Sequence, residues 1–513
     1  MEEMRKGASY GMRMQASVCE RQVVSEVQSE ISLPDYLPEI KRLLRIRSTV
    51  LPPEKYLGAT SVELTGQIEY SILYAGSDGA LYCATHAEEY RCSAPMEMPA
   101  DVLLNDGPVC HAETVVEVCN GRVASARSLG VKSRLRTHVR VFATRVIEDC
   151  TAGSEDVLRL CGEAEGAYVF FGKSEGISLG DEIVCDTEGE DLRVVCADGE
   201  VYVTDATAGS GCVTCRGEVV LKLLCAHDAT RTPPSTVLRR IPFQASVETD
   251  GAEVNCACTA RGICSQISVT VEEGRILCDV SLILEAIAQR NEAFSYTRDA
   301  FSTSRRCQTQ TATLPLLRAR SCLCANFSLN TMLDSKEAGL RDGQSVVDLS
   351  LTPVVGELVS EGGRDLLTGR CRAHLILSLP DGELSAQELE LPFRFEAEGG
   401  EGSVADWMAH VLPISCRART DGERLGIDAE LSVLLVTRSA ADVVYLSACE
   451  LGDAFSSAPA AYTVAYPAPG DTLWSLAKRY HRSVSELAAT NPLPPAPAAD
   501  SPDSLASVKF VLL

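Results

Sequence analysis

The chain has 513 residues, and Lys+Arg 47 against Asp+Glu 71 gives it a formal charge of −24. That balance repels phosphate backbones and anionic lipid, which sets nucleic acid aside as a partner. No apolar run reaches the ~18 residues of a membrane span, and Met1 to Glu20 has no apolar segment of a secretory signal, so a soluble, cytosolic protein of about three or four domains is expected.

Residues 1–20 read as a leader. Three β-rich units are expected to follow, over residues 21–150, 157–300 and 318–455, and a small α+β module closes the chain over 460–513. The front of unit one, Ile31-Ser32-Leu33-Pro34-Asp35, recurs as Ile177-Ser178-Leu179-Gly180-Asp181, an offset of 146 (177 minus 31). Pro38 to Arg47 is predicted as a short helix, because Ile40, Leu43 and Leu44 would share one face. A stronger repeat starts at three glycines. The stretches Gly66–Ala75, Gly217–Ala226 and Gly369–Ser378 share one alternating apolar pattern, at offsets of 151 (217 minus 66) and 152 (369 minus 217). Each reads as a half-buried strand. A second strand carries Ile241-Pro242-Phe243 in unit two and Leu391-Pro392-Phe393 in unit three, with Arg91-Cys92-Ser93 as the divergent counterpart in unit one. Closing strands are expected at Val131–Ala143, Arg275–Ala288 and Leu425–Val436, and linkers at 149–156, 308–318 and 456–461. Three such units in a row predict β-sandwich or barrel-like repeats.

Signals for chemistry are weak throughout. Gly7-Ala8-Ser9-Tyr10-Gly11 and Gly172-Lys173-Ser174-Glu175-Gly176 match the nucleophile-elbow pattern, but neither lies between a strand and a helix, so both read as turns. Ala167 to Ser174 misses the P-loop pattern at its leading glycine. The seven histidines, His86, His111, His138, His227, His374, His410 and His481, form no HxxxH or HExxH pair. Twenty-two cysteines include one CxxC, Cys212 to Cys215, and the CxC pairs Cys256/Cys258 and Cys322/Cys324. Most sit in strand-like apolar runs, where a thiol acts as a small hydrophobe. No four-ligand zinc spacing assembles, so no metal, cofactor or catalytic residue is assigned. Trp407, in Val404-Ala405-Asp406-Trp407-Met408, is expected on a short helix.

The last fifty residues carry the clearest local pattern. Asp471 or Thr472 is placed to cap a helix whose apolar stripe is Leu473, Leu476, Ala477 and Tyr480. Trp474 lies beside that stripe and is expected to pack in the core rather than edge a binding surface. Ser483 and Glu486 form a capping box for a second helix, with Val484, Leu487 and Ala488 inward. Asn491 and Pro492 end that helix, Asn491 as a left-handed cap, and Val508 to Leu513 reads as a closing strand.

This strand–helix–helix–strand order, with Tyr462-Thr463-Val464 and Pro469-Gly470-Asp471-Thr472-Leu473-Trp474, resembles a LysM domain. Ala465 to Ala468 reads as an insertion and Pro494 to Ser504 as a long loop, both beside the groove in which LysM domains hold N-acetylglucosamine glycans. Glu30 to Ile46 followed by Gly66 to Tyr74 resembles the SPOCS domain. Tandem SPOCS units before one C-terminal LysM resemble the SipL-type spore coat morphogenetic proteins. The resemblance implies a non-catalytic assembly protein, acting from the mother-cell cytosol at the forespore surface. It also implies that the LysM domain docks on a coat-basement ATPase rather than on glycan. Gly470, Asp471, Thr472 and Leu473, with Thr490, Asn491 and Pro492, are the expected groove residues; their other role is capping and chain reversal. A peptidoglycan-binding protein using the same groove, and a filler whose LysM has lost binding, stay open as alternatives, as does self-association.

Overall fold

The computed structural model describes residues 11–99, 102, 107–148, 157–184, 192–227, 234–272, 275–341, 343–379, 382–421, 423–455, 463–493, 500–501, 505 and 508–513. The expected linkers at 149–156 and 456–461 lie outside the described residues, as does most of the Gly7–Gly11 motif. The chain is mostly β, and the two helices among the described residues stand near the C-terminus.

Unit one comprises β1 (Gly11–Ser32), β2 (Ile40–Val50), β3 (Glu54–Leu57), β4 (Ser61–Gly76), β5 (Leu81–Pro95), β6 (Val109–Ser125) and β7 (Ser128–Glu148). They form two sheets, β1-β7-β6 and β2-β4-β3 with β5 also on β4. Unit three repeats the plan with β15 (Arg305–Asp334), β16 (Ser345–Glu361), β17 (Arg364–Ser378), β18 (Leu384–Glu398), β19 (Val404–Asp421) and β20 (Arg424–Ala454), as sheets β15-β20-β19 and β16-β17-β18. Unit two contains β8 (Val157–Lys173), β9 (Ile177–Val184), β10 (Leu192–Ala208), β11 (Cys212–His227), β12 (Ser235–Glu248), β13 (Ala257–Glu272) and β14 (Arg275–Ser302). Here the two sheets join, because β10 meets β13 at Val201 and Gly262. A Cβ at Gly262 would run into the Val201 side chain, so glycine permits the junction.

The repeat glycines have a cross-strand partner. Gly66 pairs with Tyr90, Gly217 with Phe243 and Gly369 with Phe393. In each case an added Cβ would strike that aromatic ring, so the ring lies over the bare glycine backbone. Unit one is therefore not divergent at this point: Tyr90, not Arg91 to Ser93, is its counterpart of the Pro-Phe aromatic.

Four local expectations are corrected. Pro38 to Arg47 is not helical; its core is β2, whose pairing with β4 slips between Ile40 and Arg42 and again between Leu43 and Arg45. Those bulges put Ile40, Leu43 and Ile46 against one apolar cluster, imitating helical spacing, whereas Leu44 joins a different cluster. Residues 11–20 are no leader, since β1 starts at Gly11 and pairs with β7 along its length. Residues 308–318 are no linker but the outer part of β15, where polar and threonine residues alternate before Leu314 and Leu316 turn inward. Trp407 lies in β19 between buried Asp406 and Met408, a two-residue period.

The units form a ring. Leu73, Leu224 and Ile376, at the repeat offsets of 151 (224 minus 73) and 152 (376 minus 224), share one buried cluster with Leu44, Val195 and Leu384. Opposite them in the ladders stand Arg45, Cys196 and Asp348. These three equivalent residues meet: Arg45 donates to Asp348 Oδ2 at 3.2 Å and lies 3.6 Å from the Cys196 Sγ. Such contacts among equivalents define a pseudo-threefold axis. A second layer lies along it, where Arg140, Gln289 and Arg438 repeat at 149 (289 minus 140, 438 minus 289). Arg438 Nε donates to Gln289 Oε1 at 3.0 Å, and Arg140 and Arg438 both bind Asp406.

Candidate functional site

The C-terminal module contains β21 (Val464–Ala465), α1 (Leu473–Tyr480), α2 (Val484–Thr490) and β22 (Val511–Leu512). The closing strand is thus two residues long, paired with β21. Both helices start with reciprocal capping boxes, Thr472 with Ser475 and Ser483 with Glu486. Leu473, Leu476, Ala477, Val484, Leu487 and Val511 fill the core, whereas Tyr480 is 38% exposed. The left-handed cap is His481 at φ 54°, ending α1. Asn491 is extended instead, at φ −126°. Its amide donates to Leu487 O at 3.0 Å and Leu512 O at 2.8 Å, and its oxygen accepts from Leu512 N at 2.9 Å. The side chain therefore ties the end of α2 to β22, a link no local sequence rule exposes.

The seven expected groove residues divide in two. Gly470 (φ 88°), Thr490 and Pro492 face solvent. Leu473 and Asn491 are buried, and Thr472 is the helix cap. Asp471 accepts from Ala468 N at 2.9 Å and forms a two-point ion pair with Arg479, at 2.6 and 3.0 Å. Its hydrogen bonds to Arg479 hold the carboxyl below its ordinary range. Tyr466, in the segment read as an insertion, is 76% exposed.

The opposite side of the module rests on unit two. Trp474 packs edge-on against Phe301 at 4.9 Å, and its Nε1 donates to Asp299 Oδ2 at 2.9 Å. Lys478 Nζ reaches both oxygens of Asp299, at 2.6 and 2.8 Å. Leu158 and Leu160 of β8 join the same apolar cluster. The expectation that Trp474 packs is correct, but the core it enters is shared with unit two. Asp299 occupies a bulge in the β14–β8 ladder, between Thr297 and Asp299, which turns its side chain toward the module.

The remaining charge clusters are internally paired. Burial opposes ionisation of Arg45, yet Asp198, Cys196 and Asp348 more than offset it. Burial likewise pushes Asp198 up, and Arg45 and Arg47 bring it below its ordinary value. A cavity of about 240 Å³ on the axis is lined by Arg47, Glu200, Arg261 and His410 among others. Arg47 is held by Glu200 at 2.6 Å, Arg261 by Glu113 and Glu285, and burial lowers His410 to about 4, leaving it neutral. Among the described residues, no group of three His, Cys, Asp or Glu side chains is arranged to hold a metal ion. Among the described residues, no helix is long and apolar enough to cross a membrane.

Residues 468–496 match the LysM domain family. No curated protein and no solved structure matches the chain. The protein is thus a β-rich chain with a C-terminal LysM domain, a type of module associated with peptidoglycan and related glycans.

Proposed function

We propose that the chain is a non-catalytic assembly protein of the spore envelope. Its LysM domain docks on a coat-basement protein, a morphogenetic ATPase at the forespore surface, and the three β units serve as the platform. The observation that carries this reading is the seating of the module. The Trp474–Lys478 side is held by Asp299, while Gly470, Thr490 and Pro492 stay outward, so one edge is offered at a fixed angle. The SPOCS resemblance supplies the class of partner. A second reading, binding of an N-acetylglucosamine glycan at the same edge, is favoured by the LysM match and by exposed Tyr466, a ring on which a sugar face could stack.

The test uses the full chain, because the module shares its core with unit two. Immobilised protein and a Thr490→Arg/Pro492→Asp variant are exposed to sporulating-cell lysate and, in parallel, to insoluble peptidoglycan. Capture of the ATPase that the variant loses, without glycan retention, supports docking. Glycan retention without the ATPase replaces it with the wall-binding reading.

A further inference from the structure

We infer that Cys83 and Cys196 form a redox-modification site at which a low-molecular-weight disulfide converts two thiols into a covalent link between unit one and unit two.

The two residues come from different units, β5 and β10, and meet beside the pseudo-threefold axis. The Ser71 hydroxyl stands 3.3 Å from the Cys83 Sγ and 3.5 Å from the Cys196 Sγ, so one small group touches both sulfurs. Arg45 brings a guanidinium to 3.6 Å from the Cys196 sulfur. A fixed positive charge beside a thiol pair favours thiolate, the form that attacks a disulfide. Asp198, 3.8 Å from the same sulfur, accepts from the Cys196 thiol.

Cys83 also differs from the cysteines that burial has raised. Burial raises the thiols of Cys110 to about 11 and of Cys215, Cys264, Cys322 and Cys371 to about 12. Such groups are poor nucleophiles at neutral pH. Cys83 moves the other way: the neighbouring Cys196 lowers it despite desolvation, and Ser71 and Arg45 add to the effect. Cys196 is raised. Cys83 is partly exposed and Cys196 is buried, so the geometry assigns Cys83 as the attacking sulfur and Cys196 as the resolving one.

The steps balance. The Cys83 thiolate attacks one sulfur of a low-molecular-weight disulfide, the S–S bond of that reagent breaks, and one small thiol leaves with a proton from solvent. The Cys196 thiol then loses its proton, attacks the Cys83 sulfur of the mixed disulfide and expels the second small thiol. The protein gives up two electrons and two protons, and the reagent becomes two thiols. The product ties β5 to β10 next to Arg45. None of this depends on what the LysM domain binds.

The experiment treats native full-length protein with oxidised glutathione, blocks remaining thiols with N-ethylmaleimide, and maps peptides by mass spectrometry without reduction. The expected result is a disulfide-linked peptide pair containing Cys83 and Cys196, formed before any other pair, with two of the 22 thiols lost. In Cys196→Ser the expected product is glutathione retained on Cys83. Native wild-type protein in which both residues carry the maleimide after oxidation overturns the inference, as does first reaction at another cysteine. The wild-type map decides the matter even if the serine variant fails to fold.

Discussion

Replacing Asp299 with alanine should loosen the LysM domain from its platform without unfolding either part. The side chains of the Lys478–Asp299 pair are 42% and 28% exposed, so solvent screening limits the ion pair to about 1 kcal/mol. The Trp474 indole, in a residue only 7% exposed, would lose its acceptor, at about 1–3 kcal/mol. Together these weaken docking by about 2–4 kcal/mol, or about 30- to 700-fold in the undocked fraction at 1.4 kcal/mol per decade. Asp299→Asn keeps an oxygen for the indole and loses the ion pair, so it should cost about 1 kcal/mol. Adding Phe301→Ala removes the ring against which Trp474 packs, a further loss of about 3–5 kcal/mol, and should release the module. With only two tryptophans in the chain, a Trp407→Phe background leaves Trp474 as the single reporter. Acrylamide quenching should rise from wild type through Asp299→Asn and Asp299→Ala to the double variant. Equal quenching in wild type and double variant would refute the seat.

At the axis, Arg45→Met leaves Asp198 and Asp348 short of a partner in the interior and should cost about 3–5 kcal/mol in chemical denaturation. Because the Asp198 carboxyl is depressed in the fold, its contribution is present above its unfolded value near pH 4 and is lost as pH falls through the folded value. The gap between wild type and variant should therefore narrow on acidification below about pH 4, and a gap that widens there would contradict the assignment. Gly369→Ala drives a methyl into the Phe393 ring and the Val354 carbonyl, and should lower stability by about 1–3 kcal/mol in thermal melts. Asn491→Ala removes three hydrogen bonds, two of which join the end of α2 to β22, and should cost about 2–4 kcal/mol, read as faster amide exchange across 484–491 with the β units unchanged.

The LysM helices were legible because their signals are local: an N-cap, a capping box and a stripe of period 3.6 within twenty residues. The repeat strands were legible for a related reason, since a glycine under an aromatic ring leaves a residue-level mark in both strands. What misled was irregularity. The bulges of β2 shift residues by one and turn a strand into an apparent helix, and β15 carries polar threonines where it runs past the core. The ring and the LysM seat depend on contacts between residues more than a hundred positions apart, where ordinary strand residues such as Asp299 and Phe301 gain their role only from what lands on them. One signal was present in the sequence. Arg45, Cys196 and Asp348 fall at the repeat spacing inside apolar runs, and polar residues recurring at a buried position mark a shared interface.

Arg45, Cys196 and Asp348 also make the ring directional. Three copies of any single unit, brought together from separate chains, would put three guanidiniums, three thiols or three carboxylates at one interior point. The first and last of those sets repel, and the second leaves no charge to pair. Complementarity exists only when each unit appears once, in this order. The axis thus favours one of each unit over three of a kind, so similar β units are kept from associating with like units at this point.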